Sequence, residues 1–354
     1  MIVLTPLMGG ADGISEMTRQ WVHVLESHVG RDIESVDVWS LDDDARPETP
    51  AVATGFRTAR GGRLRFSSFA VSHAGGDLTG TLVVVMHLQL LPVALPLVLR
   101  GARLVVILMG IEAWKALRPL ESAVLQRAWK IVAISAHTVE RFRRANPSFA
   151  ETPIAVCAPG APRMASPAVD HIDSTYALIV GRMSATERYK GHDALIEIWP
   201  RVRAAVADAR LIVAGDGDDT ARLRQKAAAI CADGIAFVGR VDAARLAALY
   251  RDARCFVMPS TDEGFGLVYL EAMTASVPCV AARGAAEEII TDGHDGLIVD
   301  AADPDALVDA MVRLFRDSPL RARMAAAAGE RVRAQFGAAA MAGRVSQVLE
   351  LTHG

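Results

Sequence analysis

The stretch Pro259-Ser260-Thr261-Asp262-Glu263-Gly264-Phe265-Gly266-Leu267-Val268-Tyr269-Leu270-Glu271-Ala272 concentrates groups that can engage a polar ligand. It follows the apolar run Cys255–Met258 and opens a helical segment. The amides of Phe265, Gly266, Leu267 and Val268 therefore stand at the positive end of a helix, where anionic groups are favoured. Glu263, just ahead, can accept hydrogen bonds from the hydroxyls of a sugar. Glu271, deeper in the helix, can accept a bidentate pair from a vicinal diol such as ribose. Carboxylates beside a phosphorylated ligand repel it unless cations intervene. Arg182, in Val180-Gly181-Arg182, and Lys190, eight residues later, supply two such cations after the run Tyr176–Val180. Fixed cations at a strand's C-terminal end suit a diphosphate whose charge grows as its bond to a sugar breaks. The plainer alternatives are a capped surface helix for the first motif and a solvated loop for the second.

Two further segments carry weaker signals. Gly9-Gly10-Ala11-Asp12-Gly13 lies between a first strand and a first helix, where Gly10 and Gly13 let backbone approach a ligand closely. It lacks the spacing of a dinucleotide fingerprint and is equally compatible with an ordinary strand-to-helix turn. Asp216-Gly217-Asp218 has the look of a metal-holding Asp-x-Asp, but Gly215-Asp216-Gly217 also reads as a turn and helix cap. The turn is the preferred reading, so no metal is expected.

Short apolar runs alternating with helix-length segments predict parallel α/β units. Strands are expected near Ile2–Leu4, Ile33–Val38, Leu82–Met86, Arg103–Leu108, Ile131–Ile134 and Ile154–Cys157. A second set falls near Tyr176–Val180, Arg210–Ala214, Ile235–Val238, Cys255–Met258, Pro278–Ala281 and Leu297–Val299. At 354 residues the chain suits two domains. The Pro-, Ala- and Ser-rich stretch 158–175 is the linker candidate. Four scattered cysteines without metal spacing read as free thiols of a reducing compartment, hence a cytoplasmic protein. The N-terminus, lacking a basic leader, reads as a first strand and not as a signal peptide. A net charge of −3 argues against nucleic acid as a partner. Residues 1–163 are nevertheless slightly basic, and Arg57, Arg60, Arg63 and Arg65 are interleaved with Phe56, Leu64 and Phe66. That pattern suits an anionic lipid surface or lipid diphosphate, and equally a solvated loop. The uncharged run Leu78–Leu99 is long enough to span a membrane, but its prolines favour a buried strand followed by loop and helix.

With these motifs assembled, the sequence resembles the retaining GT-B glycosyltransferases of glycosyltransferase family 4. The resemblance rests on Val180-Gly181-Arg182 with Lys190-Gly191, Ala214-Gly215-Asp216-Gly217, Phe237-Val238-Gly239 and Glu263-x7-Glu271. Glu288-Ile289-Ile290 and Gly293-x-x-Gly296-Leu297-Ile298-Val299 extend it. It implies an α/β fold of two facing Rossmann-like, doubly wound parallel-sheet domains with a cleft between them. Residues 1–163 would bind the acceptor, residues 164–337 the nucleotide sugar, and the last helix, about 338–354, would cross back to the first domain. Family resemblance assigns Arg182 and Lys190 to the diphosphate, and Glu263 with Phe265, Gly266 and Leu267 to the sugar and its phosphate. Glu271 would take the ribose, and the backbone near Arg240 and Val241 the base. Gly181, Gly215, Gly10 and Gly13 join the donor-side candidates. The first half matches through Gly9–Gly13, Gly110-Ile111-Glu112 and Ser135, with Met109 where relatives commonly carry a sugar-contacting His. His87 is a candidate substitute, although a structural histidine is the simpler reading. The implied activity is retaining, metal-independent hexosyl transfer from GDP-mannose or a UDP-hexose to a glycan, lipid-linked or small-molecule acceptor, in polysaccharide biosynthesis. It needs no cofactor beyond the nucleotide sugar as co-substrate and allows peripheral contact with the inner membrane face. A nucleotide-sugar epimerase on the same fold and a non-catalytic donor-binding relic are the rival readings.

Overall fold

Strands form where β-branched and other apolar residues run together without charge, because a strand covered on both faces has no polar side to present. The computed structural model describes residues 1–10, 12–47, 55–165 and 175–352. The chain divides into two units, Met1–Gly160 with Ala338–Gly354, and Ala161–Gly337.

The first unit holds β1 (Ile2–Thr5), β2 (Asp37–Ser40), β3 (Gly55–Thr58), β4 (Leu82–Val85), β5 (Arg103–Leu108), β6 (Lys130–Ala133) and β7 (Ala155–Val156). They form a parallel sheet in the order β3-β2-β1-β4-β5-β6-β7. The order reverses between β1 and β4, both wholly buried. Helices α1 (Gly13–Ser27), α2 (Arg63–His73), α3 (Leu91–Val98), α4 (Pro119–Leu125) and α5 (Ala136–Ala145) connect the strands. The core gathers Leu4, Trp39, Phe66, Val85, Leu104 and Phe142.

The second unit holds β8 (Tyr176–Val180), β9 (Arg210–Ala214), β10 (Ile235–Gly239), β11 (Cys255–Met258), β12 (Cys279–Ala282) and β13 (Gly296–Val299). These too are parallel, in the order β10-β9-β8-β11-β12-β13. Around them lie α6 (His192–Ala205), α7 (Thr220–Cys231), α8 (Ala243–Asp252), α9 (Leu267–Thr274), α10 (Pro304–Arg316) and α11 (Ser318–Arg331). Here the order reverses between β8 and β11, so the loops after those strands flank the switch point where doubly wound sheets bind ligands. The last helix, α12 (Ala338–Leu349), belongs to the first unit. It is held there by a hydrogen bond between Ser346 Oγ and His28 Nε2 (3.0 Å) and by Arg344 Nε donating to the Ala158 carbonyl (3.0 Å).

Two expectations need correction. The strand anticipated over Ile33–Val38 begins only at Asp37, because Ile33 belongs to the turn that closes α1: its amide donates to the His28 carbonyl, and Gly30 donates back to Ile33. Ile33 is apolar because it is buried, not because it is strand. Edge strand β3 was not expected, since Gly-Phe-Arg-Thr has no apolar run. The run Leu78–Leu99 divides into β4, a 3-10 turn at Leu88–Leu90 and the eight-residue α3, with Pro92 in its first turn and Pro96 inside. Among the described residues no helix is long and apolar enough to cross a membrane. The four cysteines are free, and Cys157, Cys255 and Cys279 are buried. Most of the linker candidate, residues 166–174, lies outside the described residues.

Candidate functional site

At the switch point of the second unit, three loops are drawn together by glycines that leave no room for a side chain. Gly215 has φ +128°, and a Cβ there would stand 2.0 Å from the Gly181 carbonyl oxygen. Gly217 would meet the Met183 carbonyl oxygen at the same distance. Gly191, at φ +84°, would strike the Pro259 ring at 2.6 Å. The loop after β9 thus lies flat on the loop after β8, and the Lys190-Gly191 turn lies flat on the start of the acidic loop. A hydrogen bond from Thr261 N to the Tyr189 carbonyl (3.0 Å) fastens the second contact. The segments carrying Arg182, Lys190 and Glu263, far apart in sequence, become neighbours.

Sequence reasoning missed the carboxylate that joins the two cations. Arg182 Nε donates to Glu187 Oε2 at 3.1 Å, and its Nη2 donates to Oε1 of the same group. Lys190 Nζ lies 3.2 Å from Oε2. Arg182 is two-thirds exposed, whereas Lys190 and Glu187 are largely covered. Burial opposes ionisation of Glu187, but hydrogen bonds from Arg182 and the charge of Lys190 outweigh it and hold its carboxyl below the usual range. Glu263 is pushed the other way: burial dominates and Glu187 adds to it, while Lys190 opposes. An alternating row, Glu187, Lys190, Glu263, results.

Beyond Glu263 the chain turns into α9 through Gly266 at φ +100°, where a Cβ would strike the Tyr269 ring at 2.5 Å. Phe265 is buried against the Phe336 ring, with centroids 6.1 Å apart, and this anchors the turn. Leu267 begins α9. Glu271 Oε2 accepts a hydrogen bond from the buried Tyr250 hydroxyl at 2.6 Å, a second partner unseen in the sequence. Arg240, exposed, and Val241 follow β10 just before Asp242 caps α8. Asp216 and Asp218 face different partners. Asp216 Oδ1 accepts from Gly217 N and Thr220 Oγ1 (both 2.9 Å), and Asp218 Oδ1 accepts from Ala185 N (2.9 Å). Among the described residues no group of three or more His, Cys, Asp or Glu side chains is placed to hold a metal ion.

In the first unit, Gly10 lines a cavity of about 370 Å³ with Leu7, Gly9, Asp43 and Pro47 among others, while Gly13 opens α1. Several backbone donors of this loop are already engaged. Buried Asp43 accepts from Met8 N (2.7 Å) and Gly9 N (2.9 Å), and Asp12 accepts from Ile14 N and Ser15 N at the start of α1. His87 follows β4 and accepts from Gln89 N through Nδ1 at 3.2 Å, the geometry of a structural cap. Met109 is buried at the end of β5, and its amide donates to Glu112 Oε1 at 2.6 Å. Burial raises the Glu112 carboxyl to about 7 despite that hydrogen bond. The four arginines are exposed, but on defined elements: Arg57 in β3 over the Trp39 ring, Arg60 in the turn donating to the Asp44 carbonyl, and Arg63 and Arg65 in α2. Phe66 is withdrawn into the core, while Leu64 is 89 % exposed between Arg63 and Arg65.

The two parallel-sheet units define the class of molecule: the chain has the GT-B fold of glycosyltransferases. It superposes on sucrose-phosphate synthase from Thermosynechococcus elongatus with a TM-score of 0.76, 22 % identity and coverage of 99 % of this chain and 98 % of the other. Anabaena HepE in complex with UDP and glucose gives a TM-score of 0.76 at 18 % identity, covering 99 % of each chain. Residues 174–317, within the second unit, match the sequence model of the family Glycosyl transferases group 1. A phosphatidyl-myo-inositol mannosyltransferase of Mycobacterium leprae is 37 % identical over 175 residues, which is 49 % of this chain and 46 % of that protein. A GDP-mannose-dependent monoacylated alpha-(1-6)-phosphatidylinositol monomannoside mannosyltransferase of Corynebacterium glutamicum is 31 % identical over 233 residues, 61 % of each chain. The matched stretches thus span about half to three-fifths of these relatives' lengths.

Proposed function

We propose that the protein is a hexosyltransferase that takes its sugar from a nucleoside diphosphate donor held by the second unit. The observation that carries this reading is the convergence of Arg182, Lys190 and Glu263 at the switch point, ahead of the α9 N-terminus. Arg182 and Lys190 stabilise the departing diphosphate together with the amides at Gly266 and Leu267, so binding is strongest as the bond to the sugar breaks. Glu263 accepts from sugar hydroxyls, and Glu271, oriented by Tyr250, takes the ribose diol. Gly181 and Gly215 keep backbone close to the phosphates, and Arg240 with Val241 border the base. Transfer proceeds with retention by a front-face route, in which the leaving phosphate oxygen takes the acceptor proton. This route needs no protein nucleophile and no metal.

GDP-mannose is the first donor to test, since the name of the C. glutamicum relative specifies it, with UDP-hexoses next. The acceptor, a glycan, lipid-linked or small molecule, is assigned to the first unit. The phosphatidylinositol acceptors in the relatives' names favour a lipid, with peripheral membrane contact from the cytoplasmic side through α2. Release of nucleoside diphosphate from donor plus a lipid or glycan acceptor, undiminished by EDTA, is the expected result. Release that ceases with EDTA and returns with Mn²⁺ would overturn the metal-free route. Donor conversion without any acceptor would instead identify an epimerase.

A further inference from the structure

The cations proposed to hold the donor are not idle in this structure. Both oxygens of Glu187 are taken up by the Nε–Nη2 edge of Arg182, the edge that clasps a phosphate side-on, and Lys190 Nζ closes on Oε2 at 3.2 Å. Glu187 sits in the turn joining β8 to α6, where its amide donates to the Ser184 carbonyl (2.9 Å) and its carbonyl accepts from Lys190 N (3.1 Å). Those backbone bonds keep the turn closed whatever its side chain does. The glutamate can therefore leave the two cations by side-chain rotation alone, at the cost of its ion pairs with Arg182 and Lys190.

We propose that Glu187 is an internal stand-in for the diphosphate: its carboxylate occupies the seat between Arg182 and Lys190 when the donor is absent and is displaced when the donor binds. The inference rests on the donor-site reading above and adds a residue to it. Without Glu187, the two cations would lose the carboxylate they share. With it, both are held on one carboxylate, and the bound diphosphate exchanges one anion for another. The same carboxylate returns to the cations as nucleoside diphosphate departs, which favours product release.

Competition has a sign that a merely structural glutamate would not give. Glu187→Gln keeps the side chain's size and some hydrogen bonding but removes the competing charge. Titration calorimetry on the whole chain with GDP, UDP and inorganic pyrophosphate, comparing wild type, Glu187→Gln and Arg182→Ala, decides the matter. The expected result is binding about two- to fivefold tighter in Glu187→Gln, the scale of partly exposed ion pairs, and weaker in Arg182→Ala. Should Glu187→Gln fail to fold, Glu187→Ala reads the same competition. Binding that is unchanged or weaker without the carboxylate, while Arg182→Ala still weakens it, overturns the stand-in role and leaves the donor site standing. If none of the three probes binds wild type, or Arg182→Ala binds as wild type does, the donor-site reading fails and this inference fails with it.

Discussion

Arg182 and Lys190 both contact the Glu187 carboxylate, so each is positioned before any ligand arrives. A preorganised charge contact of this kind is worth about 2–4 kcal/mol in a transition state. Arg182→Ala and Lys190→Ala are each expected to lower kcat/KM by that amount with little change in thermal midpoint, and near-normal kcat/KM in both would remove them from the chemistry. Glu112 gives a pH-dependent test. Its carboxyl titrates near 7 in the folded protein against an ordinary 4.5, so between those values the folded state holds a proton that the unfolded state lacks. Stability contributed by this group therefore falls as pH rises through that window. Relative to Glu112→Gln, wild type should gain up to about 3 kcal/mol between pH 8 and pH 5, read from urea unfolding at each pH. A difference that does not move with pH would contradict the buried titration. At this scale the candidate cations and acids were legible, because their types and spacing are local. Glu187 and Tyr250 were not singled out, although Glu187 lies in the same loop as both cations. A carboxylate among charged loop residues looks like any other until folding shows which groups it joins, and Tyr250 meets Glu271 only through packing of α8 against α9.

The elements of the second unit were readable because its strands are short apolar runs and the loops after β8, β9, β11 and β12 break them with glycine. What the sequence did not tell was why particular glycines are required. Gly215 combines a φ of +128° with a Cβ position 2.0 Å from a carbonyl oxygen, so it is needed for close contact and not for flexibility. Gly215→Ala should destabilise the second unit by more than about 2 kcal/mol and move the Arg182 segment away from the acidic loop. Calorimetric scans showing an unshifted transition would refute that account. In the first unit the reading slipped at β2 and β3. Ile33 is buried by a turn and imitates a strand residue, and β3 is an edge strand whose exposed Arg57 breaks any apolar pattern. The arginine-rich segment changed meaning as well. It is a strand, a turn and a helix, with Leu64 exposed and Phe66 hidden.

For the molecule as a whole, two parallel α/β units were foreshadowed by the alternation of runs and the GT-B fold by the family resemblance, while acceptor chemistry was not, since it depends on exposed side chains with no fixed spacing. If the acceptor is a membrane lipid, α2 is the natural contact, with Arg63, Leu64 and Arg65 outward together. Co-sedimentation with anionic vesicles should fall with salt and with the double change Arg63→Ser, Arg65→Ser, whereas absence of binding at low salt would leave a soluble acceptor. The central claim, however, is that the second unit binds a nucleoside diphosphate sugar through its switch-point cations. A ligand present at about a hundred times its Kd and binding only the native state adds about 2.7 kcal/mol of stability, a rise of several degrees. Thermal unfolding of wild type and Arg182→Ala with GDP-mannose, UDP-glucose, UDP-galactose and UDP-N-acetylglucosamine therefore tests it most directly. At least one of these should raise the wild-type midpoint and fail to raise that of Arg182→Ala. A wild-type midpoint unmoved by all four, in protein shown to be folded, would contradict the account.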